Sequence, residues 1–261
     1  MSKIRADVLL VKSNLVDSRE KAKRLIMSGE VFKGTERIEK AGQLLDEDAK
    51  LNIKSNSLKY VSRGGFKLEK AIDLYNLDLK DSICVDIGAS TGGFTHCMLM
   101  NGAKKVYAID VGYNQLDYSL QIDDRVVSME RTNIRNFDTS LIGDEIDFAS
   151  IDVSFISLEL VLPKAVELVK DGGEIVALIK PQFEAGREKV GKKGIVRDKK
   201  VHKEVLEKII SLAKELDLSI RGLTYSPIKG AKGNIEFLIY LEKTNREDSN
   251  FCIDTLIDSI E

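Results

Sequence analysis

From residue 82 onward, short apolar runs alternate with segments of helical spacing, and this alternation limits the fold more than any other feature of the chain. Seven runs read as strands: "ICVDIG" (83–88), "KVYAIDV" (105–111), "VVSME" (126–130), "FASIDVSF" (148–155), "EIVALIK" (174–180), "IRGLTYSPI" (220–228) and "IEFLIYLE" (235–242). Strands alternating with helices assemble into a mostly parallel sheet covered on both faces. The expected fold class is therefore α/β, with a Rossmann-like domain over residues 61–261. Ligands of such sheets bind beyond the carboxyl ends of the strands, near the point where strand order reverses.

The first 54 residues read as a separate module. "RADVLLVKSNLV" and "DSREKAKRLIMSGEVFKG" carry apolar residues at helical spacing. Asp17 or Ser18 caps the second helix and Gly29 stops it. Arg19, Lys21, Lys23 and Arg24 crowd its first half, and the strand-like pieces "VFKG" and "KLNIK" follow. A polar stretch, residues 55–60, links this small α+β module to the rest. A basic helix by itself is most often a solvated face. Together with the strands behind it, this one resembles the S4-like RNA-binding domain.

The stretch "VDIGASTGGFTHC" (85–97) ends an apolar run in small residues, which implies a close approach to the backbone. A dinucleotide fingerprint needs Gly-x-Gly-x-x-Gly. Here Gly88, Ser90 and Gly93 stand at those positions, so the second glycine is missing. No Lys-Ser/Thr pair follows, which excludes a Walker A loop. What remains is Asp86 at the end of one strand, the turn Gly88, Ala89, Ser90, Gly92, Gly93, and Asp110 at the end of the next strand. A carboxylate at Asp110 accepts hydrogen bonds from ribose hydroxyls, and the turn admits a small amino-acid group. The pattern suits S-adenosylmethionine. His96 and Cys97 read as helix-packing residues.

Four further positions carry chemistry: Lys67 near a helix start in "SRGGFKLEKA", Asp152 at a strand end in "IDVSFISL", Lys180 at a strand end before Pro181 in "ALIKPQFEAG", and Glu236 within the strand "GNIEFLIYL". Each one alone has a bland structural reading. In order, they match the Lys-Asp-Lys-Glu tetrad of the FtsJ-like RNA ribose 2′-O-methyltransferases. With the N-terminal module, the chain from about residue 3 to residue 242 resembles the TlyA family, often labelled haemolysin A. That resemblance implies an S-adenosylmethionine-dependent enzyme that methylates cytidine 2′-hydroxyls in 16S or 23S rRNA, or both. The 2′-hydroxyl is a poor nucleophile, so its oxygen must be aligned and its proton handled. The resemblance gives Lys180 that task. Lys67 would lower its proton affinity and help place the substrate, and Asp152 and Glu236 would orient both lysines.

RNA has a second expected contact. Residues 187–203, "REKVGKKGIVRDKKVHK", carry eight Lys/Arg and two Asp/Glu in a chain whose net charge is −2. Arg187, Lys189, Lys192, Lys193 and Arg197 are the expected phosphate contacts here, with Arg63 beside the tetrad and Arg5, Arg19, Lys21, Lys23 and Arg24 in the N-terminal module. The absence of Trp and the low aromatic content argue against base stacking as the main mode. Two histidines and no Cys-x-x-Cys argue against a metal site. The three unpatterned cysteines are expected to be free thiols, and the expected compartment is the cytoplasm. A literal haemolysin would need membrane-active segments and an export signal, and neither is visible. No apolar run approaches the ~20 residues that span a bilayer. A non-catalytic ribosome-assembly factor would have no use for the tetrad.

Overall fold

The computed structural model describes residues 3–53 and 59–260. The chain forms two compact units, residues 1–59 and 60–261. Of the expected connecting stretch 55–60, residues 55–58 lie outside the described residues, while Tyr60 is buried in the core of the larger unit.

In the small unit, β1 (Lys3–Arg5) leads into α1 (Ala6–Lys12) and α2 (Arg19–Met27), then β2 (Val31–Lys33), β3 (Glu36–Arg37), β4 (Leu44–Asp46) and β5 (Leu51–Ile53). β1 pairs antiparallel with β4, and β2 lies between β3 and β5. The Ser18 hydroxyl caps α2 by accepting from the Lys21 amide at 3.2 Å, satisfying one of the helix's unpaired donors. Leu9, Leu10, Leu25, Ile26, Val31 and Ile38 form the core. Asp7, fully buried, accepts from Arg5 at 2.9 and 3.1 Å and from Arg19 at 2.9 Å. The bond from Arg5 holds its carboxyl well below the usual range, at about 2.

The larger unit begins with α3 (Gly65–Tyr75). It continues through β6 (Ile83–Ile87), α4 (Gly93–Met100), β7 (Lys105–Ile109), α5 (Tyr118–Gln121), β8 (Val126–Met129), β9 (Ile146–Ile151), α6 (Leu162–Leu168), β10 (Val169–Ile179), α7 (Pro181–Glu184), α8 (Lys199–Glu215), β11 (Ser219–Tyr225), β12 (Phe237–Glu242) and α9 (Ile253–Asp258). One seven-stranded sheet has the order β11-β12-β10-β9-β6-β7-β8. Five strands, β10 through β8, run parallel, while β12 lies antiparallel between β10 and β11. Side chains alternate along each strand. Val85, Ile87, Ile175, Ala177 and Ile179 therefore join one core with α6 and α8, whereas Cys84, Val176 and Leu178 join another with α3 and α4. No described helix is long and apolar enough to cross a membrane.

β6 lies between β7 and β9, so the strand order reverses at the β6/β9 boundary. Asp86 sits there, fully buried on the α4 side. Its Oδ2 accepts from the Thr95 amide at 2.8 Å and hydroxyl at 2.6 Å, and its Oδ1 from the Ser150 hydroxyl at 3.0 Å. Burial pushes its carboxyl up to about 6, against the pull of those donors. The folded value lies above the ordinary 3.8, so the stability that Asp86 contributes is fullest below pH 4 and declines as pH rises to 6. The loss attributable to Asp86 is about 3 kcal/mol. Denaturant unfolding between pH 4 and 7 should show a flatter profile in Asp86→Asn, by roughly that amount. Identical pH slopes in the two proteins would contradict this account.

Candidate active site

The sheet topology brings four dispersed residues to one edge. Asp152 is the first residue past β9, and Lys180 the first past β10. Pro181 disfavours helical backbone at Lys180, which stays extended, and then opens α7 as its first residue. Glu236 does not lie inside a strand as the sequence suggested. It precedes β12 by one residue, and because β12 runs antiparallel with Phe237 opposite Ile179, it arrives beside Lys180. Lys67 reaches in from the first turn of α3.

Their charges alternate. Lys67 Nζ donates to Glu236 Oε2 at 2.7 Å and lies 3.7 Å from Asp152 Oδ2. Lys180 Nζ is 2.5 Å from Asp152 Oδ1 and donates to the Ser154 hydroxyl at 3.0 Å. Lys67, Lys180 and Glu236 are buried, Glu236 to 3% exposure. Buried charges persist when each has an opposite partner, and here two cations meet two anions. Asp152 contacts both lysines, so Lys67 faces Lys180 across a shared carboxylate. Ser154 escaped sequence reasoning, since a serine three residues past a strand end carries no signal of its own.

The glycine-rich turn forms the facing wall. Ser62, Arg63, Gly64, Lys67, Gly88, Ala89, Ser90, Gly93, Asp152 and Lys180 are among the residues lining a cavity of about 460 Å³, within the usual size of small-ligand sites. Asp110 adjoins this wall. Its Oδ2 accepts from the Ser90 amide at 2.8 Å and its Oδ1 from the Gly112 amide at 2.6 Å, leaving a lone pair on each oxygen. Asp86, Gly92 and Asp110 itself are outside the lining. Both Asp86 oxygens are occupied beneath the turn, and a Cβ on Gly92 would strike Leu120 and Leu116. Gly93 lets two helix starts meet, since a Cβ there would lie 2.9 Å from the Gly65 amide nitrogen and 3.2 Å from the Gly64 Cα. His96 and Cys97 do pack: His96 Nδ1 accepts from the Val61 amide at 3.2 Å, and Cys97 is buried.

Beside the tetrad, Phe155 projects 90% exposed, with its backbone at φ +64°. Bulky residues rarely adopt that conformation, and strain of this kind concentrates at functional sites. Its ring centroid lies 4.9 Å from that of Phe183, two residues past Pro181. Low aromatic content gave no hint of this pair, because composition does not report where a ring stands.

The basic residues are partly neutralised. Arg5 and Arg19 hold Asp7, Lys21 pairs with Asp17, and Lys23 with Glu20; Arg24 is also engaged. Lys189 pairs with Glu204, and α9 supplies Asp258 to Lys199 and Asp254 to Lys203. Among the described residues, Arg187, Lys192, Lys193 and Arg197 have no carboxylate partner within 4 Å.

Gly88 has a structural reason beyond any ligand. Its φ is +87°, and a Cβ would lie 2.7 Å from the Asp152 carbonyl oxygen. Even Gly88→Ala should therefore push the Asp152 segment aside. It should destabilise the larger unit by about 1–3 kcal/mol, seen as a melting temperature several degrees lower. An unchanged melting temperature would mean that the β6 and β9 ends tolerate separation.

The family model described as FtsJ-like methyltransferase matches residues 60–243. Hemolysin A of Brachyspira hyodysenteriae is 44% identical over 91% of this chain and 99% of its own length. The 16S/23S rRNA (cytidine-2'-O)-methyltransferase TlyA of Mycobacterium tuberculosis is 39% identical, over 91% and 89%. A Streptococcus thermophilus protein solved under the name of a hemolysin superposes with a TM-score of 0.78 at 50% identity, covering 99% of this chain and 95% of that one. With the family model covering well over half of its length, the chain belongs to the FtsJ-like methyltransferases.

Proposed function

We propose that this protein transfers a methyl group from S-adenosylmethionine to a ribose 2′-hydroxyl of rRNA, at a cytidine of the 16S or 23S molecule or both, and that it acts in the cytoplasm. The observation that carries the reading is the alternating Glu236–Lys67–Asp152–Lys180 chain at the strand-order reversal of a methyltransferase-family fold. The relatives named for cytidine 2′-O-methylation support the substrate.

The residues present fit the methyl donor. The Asp110 carboxylate keeps one lone pair per oxygen for the two ribose hydroxyls, and the turn from Gly88 to Ser90, its amides engaged by Ile109 and Asp110, leaves carbonyl oxygens for the ammonium of an amino-acid end. When bound, S-adenosylmethionine supplies a methyl group already activated by its sulfonium. The protein's task is alignment and one proton. Lys180, held by Asp152 and Ser154, directs the 2′-oxygen and, after giving up one of its own protons to solvent, takes the hydroxyl proton as a neutral amine. Glu236 and Asp152 hold Lys67 in register, and Lys67 keeps the substrate ribose in place. The exposed Phe155 ring, backed by Phe183, offers a face on which the target nucleobase stacks once drawn out of the RNA. The small unit, with its two helices and two small antiparallel sheets, serves as an S4-like clamp on the RNA backbone through its arginines and lysines.

The test is incubation of ribosomal subunits with methyl-labelled S-adenosylmethionine, followed by mapping of the modified nucleotide. Label should appear on a cytidine ribose. Lys180→Ala should lower turnover by about 10²–10⁴ while cofactor and RNA binding persist. Lys180→Arg should not restore it, because a guanidinium does not give up its proton. Substantial activity in Lys180→Arg would reduce Lys180 to a positioning cation, and activity in Lys180→Ala would discard the tetrad. Phe155→Ala should weaken productive binding by about 1–3 kcal/mol, with little change in stability because the ring is exposed. Unchanged kcat/KM in that variant would remove the stacking role.

A further inference from the structure

The cavity carries more positive charge than the tetrad uses. Lys67 and Lys180 are matched by Asp152 and Glu236. Lys229 and Lys232 line the same cavity, as does Arg63, and among the described residues none of these three has a carboxylate within 4 Å. Both lysines are exposed. Three unmatched cations around one concavity repel one another, so the arrangement favours an anion arriving from outside.

The loop that carries the lysines is built onto the basic tract. Asn234, buried, accepts from the Val196 amide at 3.0 Å through Oδ1 and donates to the Gly194 carbonyl at 2.9 Å through Nδ2. Its own carbonyl accepts from the Gly230 amide at 2.8 Å, closing the 230–234 turn. Lys232 and Gly233 both take left-handed backbone, at φ +63° and +89°. That geometry turns Lys232 toward the basic tract, where its Nζ lies 3.5 Å from the place a Cβ on Gly194 would occupy. A single brace thus joins Lys192, Lys193 and Arg197 to the cavity mouth.

We propose that Lys229 and Lys232 form a phosphate subsite that grips the RNA backbone beside the nucleotide being methylated. Ammonium groups suit this task as compact point charges on flexible stems, able to meet phosphates without demanding a planar partner. The subsite continues the basic tract to the reacting ribose, so the strand is held on the side of the cavity opposite the glycine-rich turn. The proposal rests on the rRNA reading above.

The test compares wild type with Lys229→Gln, Lys232→Gln and the double variant, using ribosomal subunits as substrate over a range of salt concentrations. In wild type, label on the ribose establishes the parent reading; its absence removes that reading and this one with it. Given wild-type activity, each substitution should raise KM for the subunit several-fold and leave kcat near its wild-type value. It should also lower the slope of log affinity against log salt by about 0.7–0.9. Cofactor affinity, read by calorimetry, should not move. Unchanged KM and salt slope in the double variant would overturn the proposal while leaving the methyltransferase reading intact. Weakened cofactor binding with an unchanged salt slope would overturn it in another way, by assigning the lysines to the methyl donor's carboxylate.

Discussion

The larger unit depends on three buried charges and a partly exposed fourth, Asp152, which together form one network of alternating sign. A lysine ammonium or a carboxylate taken out of water is costly by several kcal/mol unless an opposite charge stands within contact. Lys67, Asp152, Lys180 and Glu236 meet that condition only if α3, β9, β10 and β12 all deliver their residues to the same few ångströms. The sheet meets it by ending β9 and β10 side by side and by sending β12 back between β10 and β11. The Gly88–Asp152 contact holds the remaining strand end against this group, with no room for a single methyl group. Architecture and chemistry are here the same constraint.

Much of the larger unit was legible in the sequence because its signals are local. Apolar runs such as "ICVDIG" and "EIVALIK" declare buried strands, and a carboxylate or lysine at the end of such a run falls where ligands bind. The start of the last strand was misplaced because Ile235 extends the apolar run past Glu236, and its direction was not legible either, since periodicity is the same whichever way a strand runs. Asp86 was read as part of the ligand wall because it follows the same strand-end rule as Asp110. Alternation along β6 instead turns it into the sheet's helical side, beneath Thr95. Phe155 and Ser154 stayed hidden because their value lies in exposure and backbone conformation, which no residue count records.

Charge runs proved the least transparent. A stretch that reads as +6 in sequence loses part of its force to Glu204, the residue that follows it, and to Asp254 and Asp258, which lie next to it only in the folded chain. The same holds for Arg5 and Arg19, drawn onto Asp7. Such pairing fixes long side chains in place, which lowers the entropy lost when they later meet an anion. The cations left without a carboxylate then mark the surface where an anionic partner gains the most.

The position of β12 also bears on when the enzyme comes into existence during its own synthesis. Lys67 and Glu236 are 169 residues apart, and Glu236 is supplied by the last strand of the sheet. A chain emerging from the ribosome can assemble β6 through β10 in order, but its lysines lack their full set of counter-charges until the final hairpin inserts beside β10. Contacts this distant in sequence form late, after the local elements have collapsed. A chain that stops short of Glu236 leaves Lys67 without its nearest carboxylate. The charge network is thus completed only once the polypeptide has been made beyond residue 236.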